Sequence, residues 1–531
     1  MTFVVGGEEL RVSWAELNRR AQAAAAELQH RSVEPGDRVA VLSATSFDLV
    51  VALQAIWLTG ATVVILPLPM RMGSLPDFIA ATKRRVAAAQ CRSVLVAPQM
   101  AAFAGPGSDE LPHLDLAELL STDRKPTDLV RPDYKRDDIA ILQFTSGSTS
   151  EPKGVMLANH VITANLDAMI EAVGIDDDVL VSWLPLYHDM GLVGCCVLPM
   201  AEGMELVLGS PQDFLGAPQR WMEWISTYKG TLTAGPNFSY VLAARGLRRP
   251  GTDLDLSSLR IALNGAEPVD PDCVRGFVSA GEPHGLDPDA VFPAFGMAEL
   301  AIAGAFPRPM SGLQLDVVDS EVLEVEGKAT PVDIDAPRAR EMVKLGYAVP
   351  GLTFRIVDPV SGEVCPEREV GELQITGTSV TSGYYNRPDA TAELFDDGWL
   401  LTGDLGYLVD DQLVLCGRIK DLIIVGGRNI YPQDIERAVG QIEGVRAGNV
   451  AAFAVADAKE KEGVVVVSET RVAVTDELRS AVKKAVVASV GIPSRDIVFV
   501  KPGSLPKTSS GKLQRSKCSS LYRSSELQIA E

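Results

Sequence analysis

From its first residues the chain alternates helix-like and strand-like spacing of apolar side chains. Ser13-Trp-Ala-Glu16 has the form of a capping box, in which hydroxyl and carboxylate would each satisfy a backbone donor at a helix start. An alanine-rich helix is expected to run from there towards Gln29. Arg38–Leu42 then reads as a buried strand, Phe47–Leu58 as a helix and 61–66 as a second strand, with further strand-like runs at 93–97 and Ile139–Phe144. Strands alternating with helices predict parallel sheets covered on both faces. Ligands of such sheets gather at the C-terminal strand ends. A loop beginning at Thr145 sits at one of them.

A second pattern starts after residues 413–417. From Lys420 onward the chain reads as a compact α/β unit, with strands at 450–455, 464–467 and 497–500 and helices at 432–439 and 475–490. This divides the chain into 1–419 and 420–531. No Ser/Gly-rich linker separates the two, so the junction reads as a hinge and not a tether. Residues 311–345 are polar and acidic with little periodicity, and are expected to form a surface excursion. No internal repeat is present.

Length and composition narrow the function. A chain of 531 residues exceeds what one hydrophobic core usually supports. The formal charge of −21 argues against nucleic acid and against docking on an anionic membrane. The most apolar segments are short and broken by prolines, so no membrane insertion is expected, and no signal peptide is apparent at the N-terminus. Seven cysteines at scattered spacings suggest reduced thiols in a cytosol, with Cys195 and Cys196 as buried small hydrophobes.

Two segments carry most of the chemistry. Phe144-Thr-Ser-Gly-Ser-Thr-Ser-Glu-Pro-Lys-Gly-Val155 is a hydroxyl- and glycine-rich loop suited to a polyphosphate, with Lys153 adding positive charge. It is not a Walker A motif, because Pro152 precedes the lysine and Gly154 follows it. Leu505-Pro-Lys-Thr-Ser-Ser-Gly-Lys-Leu-Gln-Arg515 places Lys512 on a distant loop that only folding could bring to the same ligand.

Further motifs are Trp183-Leu-Pro-Leu-Tyr-His-Asp-Met-Gly-Leu192, Asn264-Gly-Ala-Glu-Pro268, Phe295-Gly-Met-Ala-Glu299, Thr402-Gly-Asp-Leu-Gly406, Gly417-Arg-Ile-Lys-Asp421 and Asn429-Ile-Tyr-Pro-Gln-Asp-Ile-Glu436. Together these resemble the adenylate-forming superfamily of acyl-CoA synthetases, peptide-synthetase adenylation domains and luciferases. Within it the Leu-Tyr-His-Asp-Met-Gly and Asn-Gly-Ala-Glu-Pro forms are most similar to fatty acyl-AMP ligases. The resemblance implies an α/β fold with a large N-terminal domain of several subdomains and a small mobile α/β lid. It also implies ATP and Mg2+ as cofactors, a fatty acid substrate and a phosphopantetheinylated acyl carrier protein as acceptor, in a monomer or homodimer. An acyl-CoA synthetase is the nearest alternative, and a non-catalytic acyl- or nucleotide-binding relative is an alternative of another class.

By the same resemblance, Thr145, Ser146, Gly147, Ser148, Thr149 and Lys153 would hold the β- and γ-phosphates, and Glu299 the magnesium. Gly265, Ala266 and Glu267 would face Phe295, Gly296 and Met297 across the adenine. Asp404 would bind the ribose hydroxyls, with Arg418 on ribose or phosphate. Lys512 would bridge carboxylate and α-phosphate as the principal catalytic residue, and His188 would stand beside the reacting carboxylate. Trp183, Leu192 and Phe238 are candidates for the acyl pocket. Lys420 stands where the family has its hinge. The chain shows no dedicated basic cluster beyond its catalytic tail, where Arg515, Lys517 and Arg523 are candidates for a patch that meets an acidic carrier.

Overall fold

The computed structural model describes residues 1–69, 74–108, 110–144, 152–456, 462–508 and 511–530. Two largely parallel sheets build most of the N-terminal part. The first has the order Val291–Pro293, Ile261–Asn264, Leu232–Gly235, Val179–Ser182, Glu205–Gly209, Thr2–Val5, Glu8–Arg11, with only the last pair antiparallel. The second runs His113–Asp115, Ser93–Val96, Arg38–Leu42, Thr62–Ile65, Ile139–Phe144, Gly154–Ala158, again antiparallel only in its last pair. The wholly buried strands Thr62–Ile65 and Ser93–Val96 are apolar apart from their first residues, as strands covered on both faces are, and the Thr62 hydroxyl donates to the Ile139 carbonyl at 2.6 Å.

Between these strands, Phe47–Leu58 is apolar nearly all round and is accordingly buried between layers. Ser13 does cap Trp14–His30, accepting from the Glu16 N–H at 3.1 Å. The reciprocal half of the expected capping box is replaced. The Glu16 carboxylate turns outward and pairs with Arg19 and Arg20 at 2.8 and 2.9 Å, a choice that two arginines three and four residues on make available.

A third, antiparallel sheet was not legible from the sequence. It comprises Leu352–Val357, Gly371–Gly377, Trp399–Val409, Phe395–Asp396 and Gln412–Arg418. Residues 311–345 also depart from expectation. Leu315–Asp319 pairs antiparallel with Ala339–Val343, the helix Ser320–Glu326 follows the first strand, and Val318, Leu323 and Met342 are buried with Tyr407 and Tyr431. Two charged residues at buried positions, Asp316 and Arg340, hide this periodicity.

The C-terminal part is a small α/β unit. Val445–Ala456, Glu462–Thr470 and Asp496–Val500 form its sheet, with Pro432–Gly440 and Asp476–Val490 as its principal helices. One apolar core extends from Phe3 to Leu413, and a separate one joins Ile423, Ile435, Val466, Val482 and Phe499. Contacts between the two parts include buried charge. Arg340 meets Asp434 at 3.0 Å and lies over the Tyr431 ring at 4.7 Å, and Arg428 pairs with Glu324. Among the described residues no helix is long and apolar enough to cross a membrane. Cys195 and Cys196 are buried as expected, and burial pushes both thiols up to about 12.

Candidate active site

The adjacent parallel strands Val179–Ser182, Leu232–Gly235, Ile261–Asn264 and Val291–Pro293 deliver their C-terminal ends to one edge of the first sheet. Each leads into a segment singled out by its sequence. Ser182 passes to Trp183 and His188, Gly235 to Phe238, Asn264 to Gly265, Ala266 and Glu267, and Pro293 to Phe295 and Glu299. This is the position at which open parallel sheets present ligand sites.

The backbone there is drawn tight. A Cβ at Gly296 would lie 2.1 Å from the Ile302 carbonyl oxygen, and one at Gly265 3.0 Å from the Ala294 carbonyl oxygen. Ala266 adopts φ +70°, a left-handed conformation uncommon for a residue with a side chain. Met297 donates its N–H to the Ile302 carbonyl at 2.9 Å. The Phe295 ring is 8% exposed and packs on Gly304, where a Cβ would come within 2.8 Å of it.

Charged groups converge on this edge from remote parts of the chain. Asp404 and Arg418 are cross-strand neighbours in the antiparallel sheet and pair at 2.8 Å. Asp404 raises the guanidinium pKa, and burial pushes the Asp404 carboxyl up against the pull of Arg418. Burial likewise raises Glu299, although the Tyr384 hydroxyl donates to it at 2.8 Å and Arg418 draws it down. Lys153 holds its ammonium 5.0 Å from the Tyr384 ring centroid. Glu267 accepts the Asn237 N–H at 2.9 Å, and its carboxyl is raised by burial.

Lys512 arrives from the C-terminal part, hydrogen-bonded to Thr508. Thr508 donates to the Lys512 carbonyl at 2.8 Å, and its hydroxyl accepts the Lys512 N–H at 3.1 Å. The lysine lies near enough to Asp189, Glu267 and Asp404 for its charge to pull on all three carboxyls. Asp189 behaves unlike its neighbours. Burial pushes it up, but His188, at 3.4 Å, and Lys512 outweigh that, and it lies below its ordinary value. Burial, with Arg418 and Lys153 adding repulsion, lowers Lys420.

The geometry therefore brings together Lys153, His188, Glu267, Glu299, Asp404, Arg418, Lys420 and Lys512. Thr145, Ser146, Gly147, Ser148 and Thr149 lie outside the described residues. Leu192 is fully enclosed in a wide-turn helical segment, Met190–Val197. Trp183 stacks on Phe214 at 3.8 Å, with Trp221 and Phe238 edge-on at 6.0 and 6.1 Å, whereas Phe238 itself is 40% exposed. Asp189 and Tyr384 are site residues that the sequence reading did not single out. Asp189 stood inside a quoted motif, and Tyr384 follows the turn signal Ser382-Gly383. Arg515, expected in a docking patch, is instead held by Glu436 and Asp421, each at 2.7 Å.

The AMP-binding enzyme family matches residues 1–385. The chain belongs to that family of adenylate-forming ligases. A second match, to the AMP domain of Disco-interacting protein 2-like proteins, covers residues 420–531. A putative ligase of Mycobacterium tuberculosis is 39% identical over 97% of this chain and 96% of its own length. The medium-chain-fatty-acid–[acyl-carrier-protein] ligase JamA of Moorena producens is 33% identical over 97% and 91%. A solved structure from studies of fatty acyl-adenylate ligases of E. coli and L. pneumophila superposes with a TM-score of 0.90 at 33% identity, covering 99% of this chain and 95% of that one.

Proposed function

We propose that this protein activates a fatty acid with ATP as an acyl-adenylate and passes the acyl group to the phosphopantetheine thiol of an acyl carrier protein. The observation that carries this reading is the approach of Lys512, from the far end of the chain, to Asp189, Glu267 and Asp404 at the strand ends. In the first step a carboxylate oxygen attacks the α-phosphorus of ATP. The bond from that phosphorus to the β-bridging oxygen breaks, and pyrophosphate leaves. Two anions must meet, so Lys512 neutralises charge as the pentavalent transition state forms, while Lys153 and Arg418 hold the phosphates. In the second step the thiol sulfur attacks the acyl carbon, AMP departs with the bonding electrons, and the thiol proton passes to solvent.

Glu299 is the group suited to Mg2+. One of its carboxylate oxygens takes the Tyr384 hydroxyl, and a single protein carboxylate with substrate phosphates is the usual magnesium environment. The ion would supply neutralisation of the departing phosphates. His188, 3.4 Å from the Asp189 carboxylate, stands beside the reacting carboxylate. Asp404 would take the ribose hydroxyls, and Gly265, Ala266 and Glu267 would face Phe295, Gly296 and Met297 across the adenine. The stacked aromatics around Trp183 and the enclosed Leu192 favour an apolar acid, as do the fatty-acid ligases among the relatives. Lys512 must retreat before the thiol can enter. Residues 420–531 therefore act as a lid on residues 1–419, with Lys420 as its hinge.

The test is pyrophosphate release over acids of graded chain length, followed by mass spectrometry of acyl-CoA and acyl-carrier under matched conditions. Accumulating adenylate, little acyl-CoA and efficient carrier acylation are expected. Rapid acyl-CoA formation with no carrier acylation would overturn the acceptor while leaving the adenylation intact.

A further inference from the structure

The helix Asn237–Leu247 leaves the site edge with its backbone tied to Glu267 and exposes Phe238, Val241 and Arg245, with Arg248 and Arg249 exposed just past its C-terminus. Phe238 and Val241 are 40% and 38% exposed, and the arginines follow at the far end. One arginine in the last turn would complement the helix dipole, but three within five residues exceed that need. In a chain carrying 70 acidic residues, arginines such as Arg260, Arg275, Arg368 and Arg446 find carboxylate partners. Among the described residues none of these three makes an ion pair. Arg248 gives one hydrogen bond, to the Gly276 carbonyl at 2.8 Å. The expectation of no basic cluster outside the catalytic tail is thus corrected.

We propose that these exposed residues form the docking surface for the acyl carrier protein, with the arginines meeting an acidic face of the carrier and the apolar half lying under its prosthetic arm. The proposal rests on the carrier reading above and names where that partner sits. An eleven-residue helix spans about 16 Å, so its far end stands about that distance from its start at Glu267, a length that an extended arm can cover. A cleft of about 420 Å3 lies at this end of the helix, lined by Arg249 with Glu223 and Asp253.

The test is the double variant Arg245→Glu with Arg249→Glu, which spares the hydrogen-bonded Arg248. It is assayed with a panel of bacterial holo-acyl carrier proteins and, separately, with free pantetheine. Fatty acid-dependent pyrophosphate release and transfer to pantetheine should match wild type. The KM for carrier should rise about tenfold or more with kcat little changed, and the salt dependence of carrier transfer should flatten. Unchanged carrier KM would overturn the docking surface and leave the carrier function standing, and so would equal losses with carrier and pantetheine. Wild-type transfer to CoA but to no carrier would overturn both.

Discussion

Glu299 illustrates how single residues here trade stability against chemistry. Its carboxyl is raised by burial, so the folded state binds its proton more tightly than the unfolded chain does. The stability associated with that proton is fully present below the ordinary glutamate range and is lost as pH rises through the raised value. Glu299→Gln keeps an acceptor for Tyr384 and removes that loss. The expected outcome is a higher Tm than wild type near neutrality, a gap that closes as pH falls towards 4, and adenylation reduced by about 10². Thermal unfolding across pH checks it, and a lower Tm at every pH would contradict it. Motif positions such as Lys512, Glu299 and Asp404 were legible because residue types and order identify them. Tyr384 was not, since its role depends on meeting Glu299 and Lys153 across a fold that the linear chain does not display.

Elements were legible where the buried positions are apolar and hidden where charged residues occupy buried positions. The strand Arg38–Leu42 and the helix Phe47–Leu58 stood out as runs of apolar residues and match the structure residue for residue. The pair Leu315–Asp319 and Ala339–Val343 did not, because Asp316 and Arg340 mask the alternation. Arg340 joins that pair to the C-terminal unit through Asp434. Asp434→Ala would leave a buried guanidinium unpaired at a cost of about 3–5 kcal/mol. Faster proteolysis near Lys420 is the expected readout, and unchanged cleavage would remove the clasp. Lys420 itself lies in the short turn Ile419–Asp421. Proline there fixes φ near −65° and should slow acyl transfer much more than adenylation in single-turnover assays. Equal slowing of both steps would argue against a hinge.

At the scale of the whole molecule, two separate cores are bridged by a smaller apolar cluster that joins Tyr431 to Val318 and Tyr407, and the proposed site needs both parts assembled. The parallel strands set a slot and a buried carboxylate cluster, and the C-terminal unit brings the cation that cluster faces. The change in pattern after residues 413–417 is the signal from which a division at Lys420 is proposed. The way the two parts sit together could not be read from it, because it depends on Arg340, Glu324 and the approach of Lys512. The most direct measurement is therefore pyrophosphate release by Lys512→Ala at saturating fatty acid and ATP, with ATP binding and thermal unfolding as controls. Adenylation should fall by about 10²–10³ while fold and nucleotide binding persist. A variant within about fivefold of wild type, roughly 1 kcal/mol of barrier, would remove Lys512 from the chemistry.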